Sequence, residues 1–175
     1  MYLYHGSNKK FSAFNLDKCS TKDSLKEGRG IYLADAKNIK VPEAYGKYLY
    51  KVQVPNEEVL DLTKLTDIKM FLNYVRKCAP IVSTQKIQDI ANMIKLGEVS
   101  IFDEAPEIIK YMENSEELWI KFPKDADKMV EKALKQYNRI LSLYAVVKYK
   151  DKELGVIYIC KHNSSKLKIV KCTEH

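Results

Sequence analysis

Apolar residues recur along this chain with two different periods, and the changes of period divide it into three regions. From residue 1 to about 62 the apolar runs are short. Tyr2-Leu3-Tyr4 is aromatic, Gly30-Ile31-Tyr32-Leu33 is β-prone, and Tyr48 to Val54 alternates with period two until Pro55. All three predict strands. Between the last two, Ala36 to Gly46 holds Pro42-Glu43-Ala44-Tyr45. Proline is tolerated at a helix start and glycine suits its end, so this segment predicts a helical turn or two. Gly30 to Val54 thus reads strand, helix, strand.

From about 63 to 142 the period becomes helical. Ile68, Phe71, Leu72 and Val75 share one face, as do Ile87, Ile90, Ala91 and Ile94, which predicts two helices. After Pro123, the positions Ala126, Met129, Val130, Ala133, Leu134, Tyr137, Ile140 and Leu141 keep helical spacing for four turns. Ile108, Ile109 and Met112 predict a shorter helix, and Leu118 to Phe122 fits either its extension or a strand. Strand patterns then return at Tyr144–Tyr149, Gly155–Cys160 and Lys166–Val170, separated by turn residues at Lys150-Asp151-Lys152 and Asn163-Ser164-Ser165. No repeat or low-complexity tract interrupts the order. The expected fold is α+β: one mixed, mostly antiparallel sheet completed from both ends of the chain, with a helical insertion over about 63–142.

Composition narrows the class without choosing a function. A length of 175 residues suits a single domain, 1–175. No apolar run reaches the ~20 positions of a membrane-spanning helix, so no membrane partner is expected. The start, Met1-Tyr2-Leu3-Tyr4-His5, lacks the features of a secretory signal, and a cytoplasmic location is expected. Cys19, Cys78, Cys160 and Cys172 are widely spaced and form no Cys-x-x-Cys pair, which points to free thiols rather than a zinc site. A net charge of +7 favours an acidic partner, either a phosphate-bearing cofactor or nucleic acid. The lysines are nevertheless scattered among acids, so charge alone does not decide between them.

Two short segments carry the candidate chemistry. His5-Gly6-Ser7 follows the first strand and puts an imidazole at a strand end, beside a glycine that allows close approach to the backbone. Alone, it reads first as a histidine in a solvated turn. Gly28-Arg29-Gly30-Ile31-Tyr32-Leu33-Ala34-Asp35 places two glycines just before a strand. It lacks the Gly-x-Gly-x-x-Gly order and the lysine of phosphate-cradling loops, which disfavours a doubly wound dinucleotide fold. Tyr32 is either a core aromatic or a flat surface for a ring to stack on.

Together, and in this order, the two segments resemble the poly(ADP-ribose) polymerase-like branch of the ADP-ribosyltransferase superfamily. That branch has a His-Gly-Ser or His-Gly-Thr turn and then Gly-x-Gly-Ile-Tyr-Phe-Ala-Asp, which Gly28 to Asp35 matches except at Leu33. The chain is similar also to small single-domain transferases of phages and mobile elements. The resemblance covers residues 1 to about 55 well, the last thirty weakly and the helical block not at all. It implies that NAD+ is the co-substrate, with no metal. His5 would bond a ribose hydroxyl, the backbone of Gly6 would hold the nicotinamide carboxamide, and Tyr32 would stack on the nicotinamide ring. Tyr45 would close the ring from its other side, with Gly30 and Ser7 in supporting places.

Breaking the nicotinamide–ribose bond builds positive charge on the sugar, which a nearby carboxylate stabilises. In the family this third position lies on the strand before the final hairpin, and it is glutamate in many members. Glu153 is the acid near that place, while Tyr158 and Val156 are the alternatives; Glu153 reads equally as a hairpin charge facing water. His162 and His175 form no metal pattern. The helical block is either a recognition element or a layer that buries the sheet. The resulting expectation is a mono-ADP-ribosyltransferase acting on a macromolecular acceptor, protein rather than nucleic acid. A nucleic-acid-directed transferase, an NAD+ hydrolase and an inactive NAD+ or ADP-ribose binding module remain open.

Overall fold

The computed structural model describes residues 1–19 and 29–175. Its strands are β1 (Tyr2–Ser7), β2 (Ile31–Leu33), β3 (Tyr48–Gln53), β4 (Val59–Asp61), β5 (Val146–Asp151), β6 (Gly155–Cys160) and β7 (Lys168–Glu174). Its helices are α1 (Lys40–Ala44), α2 (Leu65–Arg76), α3 (Thr84–Leu96), α4 (Glu107–Glu113), α5 (Glu116–Lys121) and α6 (Ala126–Ser142). The architecture is mixed α+β.

The strands form two sheets rather than the single one expected. One is β1-β3-β7, fully antiparallel; the other is β2-β6-β5-β4, in which β4 runs parallel to β5. Both draw strands from the two ends of the chain. They stay separate because β1 and β2 share a single bridged pair, Tyr4 with Ala34. Strand alternation reports which face is buried, and it says nothing of where a ladder stops.

The four-stranded sheet is buried on both faces, which accounts for its near-continuous apolar runs. Toward the three-stranded sheet it presents Ile31, Leu33, Val146, Tyr158 and Cys160, which pack with Leu3, Tyr50 and Val52. From its other face, Val147, Tyr149, Ile157 and Ile159 meet the helices. The sequence periodicity had placed the facing residues: Ile68, Phe71, Leu72 and Val75 of α2 and Ile87, Ile90, Ala91 and Ile94 of α3 are all buried. Tyr137 of α6 is buried among them and donates its hydroxyl proton to the carbonyl of Ile101 at 2.8 Å, so this large aromatic costs no unpaired polar atom.

Three local outcomes differ from the pattern or complete it. Leu118–Lys121 belongs to the helix α5, which ends at Phe122 and whose start is capped by the Ser115 hydroxyl accepting from the Leu118 N–H. β4 adds a strand the pattern does not predict, since Val59-Leu60-Asp61 lies between Glu57-Glu58 and the start of α2 with no turn glycine or aromatic to mark it. β7 continues to Glu174, past Val170, since pairing with β3 sustains it where its own mostly exposed residues show little alternation. Among the described residues no helix is long and apolar enough to cross a membrane.

Candidate functional site

The site begins where β1 and β2 part. At the bridge, the Tyr4 N–H donates to the Ala34 carbonyl at 2.7 Å and the Ala34 N–H donates back at 2.9 Å. One residue further along β1, a side chain takes over from the backbone: His5 Nδ1 lies 2.8 Å from the Tyr32 carbonyl oxygen. A carbonyl only accepts, so this partner assigns the ring proton to Nδ1 and leaves Nε2 as an acceptor. The imidazole is ringed by aromatics, with Phe14 edge-on at 5.2 Å and Phe11 at 6.1 Å. Burial lowers its pKa below the ordinary histidine value, while the bond to Tyr32 pulls the other way. The neutral ring is therefore the favoured state.

The aromatic wall is itself anchored. Phe11 stacks on the buried Tyr50 of β3 at 4.2 Å and 13°. The Tyr50 hydroxyl accepts from the Phe11 N–H at 2.8 Å and donates to the Lys9 carbonyl at 3.2 Å. These bonds fix the segment after β1 against the sheet. On the other side stands α1, held close to β1 because Gly6 has no side chain: a Cβ there would collide with the Pro42 carbonyl. Gly30 likewise lies tight against Ile159, whose Cδ1 would sit 2.8 Å from an added Cβ. Both glycines thus serve protein packing, one of the two readings the sequence offers for Gly30, whereas for Gly6 the sequence pointed to a ligand. Asp35 also has a local task, since its carboxylate accepts from the N–H groups of Lys37 and Asn38 and caps the turn leading to α1.

These elements enclose a cavity of about 570 Å³, within the ordinary range for small-molecule sites. The structure brings His5, Gly6, Ser7, Gly30, Tyr32 and Tyr45 together in its lining. Tyr32 is half-buried, with its ring packed on the helical core, while Tyr45 is 42% exposed at the end of α1. The Ser7 hydroxyl accepts from the Lys9 N–H at 3.1 Å, a local bond of the kind serines make at strand ends. Gly28 lies outside the described residues.

None of the three candidates for the third position, Glu153, Tyr158 and Val156, is among the described residues that line this cavity. Glu153 is exposed in the β5–β6 hairpin, where its backbone N–H donates to Asp151, and it is not part of the cavity lining. Tyr158 points into the core between the sheets, where burial pushes its phenol up to about 12. Val156 packs on the same core and its carbonyl accepts from Asn38 Nδ2 at 2.8 Å. The residue of β6 that reaches the cavity is Ile157. Among the described lining residues there is no carboxylate, and the charged ones are Lys9, Lys10 and Lys18.

Sequence reasoning thus missed Phe11, Phe14, the three lysines and Ile157. Lys9-Lys10-Phe11 stands directly after His-Gly-Ser, so proximity was the available signal. For Ile157 the signal was parity, because Tyr158 and Ile157 must face opposite ways on a strand. Four cysteines are free thiols, and among the described residues no three His, Cys, Asp or Glu side chains gather as a metal site requires.

No protein-family model matches this chain, and no curated protein matches it in sequence. Among solved structures it is similar to a crystal structure of an anti-CRISPR protein, at 18% identity over 97% of this chain and 93% of that one, with a TM-score of 0.43. A likeness of that degree carries no argument about activity.

Proposed function

We propose that this chain binds NAD+ in the cavity between β1, β2 and α1 and transfers its ADP-ribose group to a macromolecular acceptor, a protein in preference to nucleic acid. The observation that carries the reading is the convergence of His5, Gly6, Ser7, Gly30, Tyr32 and Tyr45, drawn from three separate elements, on one cavity. Lys9, Lys10 and Lys18 in the same lining supply the cationic surface that a diphosphate needs.

In this reading a ribose hydroxyl donates a hydrogen bond to Nε2 of the neutral His5 ring, because Nδ1 is committed to Tyr32. The nicotinamide ring stacks on Tyr32, with Tyr45 at the rim covering its other face. As the ribose–nicotinamide bond breaks, its electron pair leaves with nicotinamide, which becomes neutral. The acceptor's nucleophile then bonds to the ribose carbon and loses its proton to solvent. Orientation of the ring and sugar contributes most here, since the described lining offers no carboxylate to offset the developing charge. A single transfer fits such a site better than chain elongation.

That same absence among the described lining residues favours a second reading, in which NAD+ is bound and not cleaved. Incubation of the protein with NAD+ labelled in its adenylate, together with whole-cell extract, separates the two. Label on a protein band with release of nicotinamide supports transfer. Calorimetric binding without nicotinamide release supports a binding module, and the absence of any NAD+ binding overturns both.

A further inference from the structure

A second concave surface lies on the helical layer, away from the β1/β2 cavity. Between α2 and α6 a groove of about 350 Å³ has Leu60 and Phe71 in its lining. Its walls leave large apolar side chains open to solvent: Met70 is 50% exposed, Tyr74 45% and Leu143 61%. Contiguous exposed apolar side chains of this kind mark contact sites for other molecules.

The charge on the α6 side of the groove is cationic, while on α2 the acid Asp67 stands one turn before Met70. Lys128, Lys132, Lys135 and Arg139 are all exposed and follow one another on α6 at i, i+4, i+7 and i+11. At 3.6 residues per turn these four form one line, about 17 Å long at 1.5 Å per residue. Arg139 itself lines the groove, as do Gln136 on the same helix and Leu143 just past its end. Helical geometry puts the acids Asp127 and Glu131 on the opposite flank. Among the described residues none of the four cations has a carboxylate within ion-pair distance. Across the groove, Lys77 adds a further cation, 4.7 Å above the Tyr74 ring.

We infer that this groove docks an acidic amphipathic helix of a partner protein, with aliphatic or aromatic anchors in the groove and carboxylates along the α6 line. The pairing of an apolar trough with a one-sided cationic edge selects this occupant. A helix lying in a groove presents one apolar face and one charged face. A nucleic acid strand would need several flat rings for its bases beside the cations, whereas the most exposed apolar walls here are the flexible side chains of Leu143 and Met70, with Tyr74 the one exposed ring among the described lining residues. A second copy of this chain would bring the same cations to face these. The inference concerns a different surface from the cavity and stands whether or not NAD+ is bound.

The test uses the full chain and a labelled twenty-residue peptide with leucines at helical i, i+3, i+4, i+7 spacing and glutamates elsewhere. Saturable binding that weakens with added salt is expected. It should fall by about tenfold in Leu143→Asp and again in the double variant Lys132→Glu with Arg139→Glu, as for residues central to an interface. All three positions are exposed or at the groove edge, and circular dichroism verifies that each variant is folded. Glu104→Lys, outside the groove, should leave binding unchanged. Three results overturn the inference: no saturable binding, binding indifferent to the groove variants, or displacement of the peptide by an oligonucleotide of equal charge at lower concentration. So does sedimentation showing a dimer that Leu143→Asp dissociates, since the occupant would then be a second copy.

Discussion

The β1/β2 cavity and the helical layer are built on opposite economies. In the layer, buried side chains recur at helical spacing and meet one face of the sheet, so that each contributes by the apolar area it removes from water. Around the cavity, the decisive residues make single contacts: the His5 imidazole replaces a missing ladder bond, Gly6 admits a helix, and Tyr50 ties down a loop. The first kind of region tolerates small repacking, while the second depends on individual atoms. A change in the layer should therefore alter stability and spare the ligand, whereas one at the cavity should reach the ligand.

The largest effect is expected from Ile90→Ala, which empties a fully buried position on α3. Such truncations cost about 2–5 kcal/mol. Denaturant titration should show the loss, with NAD+ affinity per folded molecule unchanged; altered affinity would show that the two regions are coupled. Next comes Gly6→Ala, whose methyl group meets the Pro42 carbonyl. It should cost about 1–3 kcal/mol through overpacking and also displace α1, so calorimetry should find NAD+ binding weakened even in the protein that remains folded. If Gly6→Ala binds NAD+ normally, the close approach of α1 is not part of the site.

Tyr32→Ala should remove ring stacking worth about 1 kcal/mol, a loss of roughly fivefold in NAD+ affinity together with a sharp fall in nicotinamide release. A well-folded Tyr32→Ala protein with full activity would sink the assignment of the cavity. Acidity probes His5 more gently. Its pKa is lowered in the folded state, so the unfolded chain takes up the proton first as pH falls through the ordinary histidine range. Stability should then decline below about pH 6.5 and be indifferent to His5 above it. Thermal melts from about pH 8 to pH 5 should show that slope flattened in His5→Gln, while NAD+ binding by the parent should persist below pH 6.5 because Nε2 is still unprotonated. The smallest effect belongs to Glu153→Gln, an exposed hairpin change that should keep nicotinamide release within about twofold. A large drop would mean that the hairpin reaches the substrate.

The same contrast governs what could be read in advance. The stripes of α2, α3 and α6 were plain because helical burial repeats every turn, and β3, β5 and β6 were plain because alternation or apolar runs mark their buried faces. His5 and Tyr32 emerged from short segments whose order carried the meaning, and both line the cavity. Phe14, Lys18 and Ile157 did not, since nothing local distinguishes them from any other aromatic, surface lysine or core isoleucine. Their membership depends on how β1, β2 and β6 meet.

By itself, then, the sequence determined the secondary elements long enough to show a period, the α+β class, and the two segments from which a site would be drawn. Only the tertiary structure decided that the strands divide into two sheets joined at Tyr4 and Ala34, that Gly6 serves Pro42, and that Ile157 rather than Glu153 faces the cavity. The physical reason is range. Periodicity records the burial of each residue's own face, whereas where a ladder ends and which side chains converge are set by contacts between segments distant in sequence, such as Tyr4 with Ala34 or Asn38 with Val156.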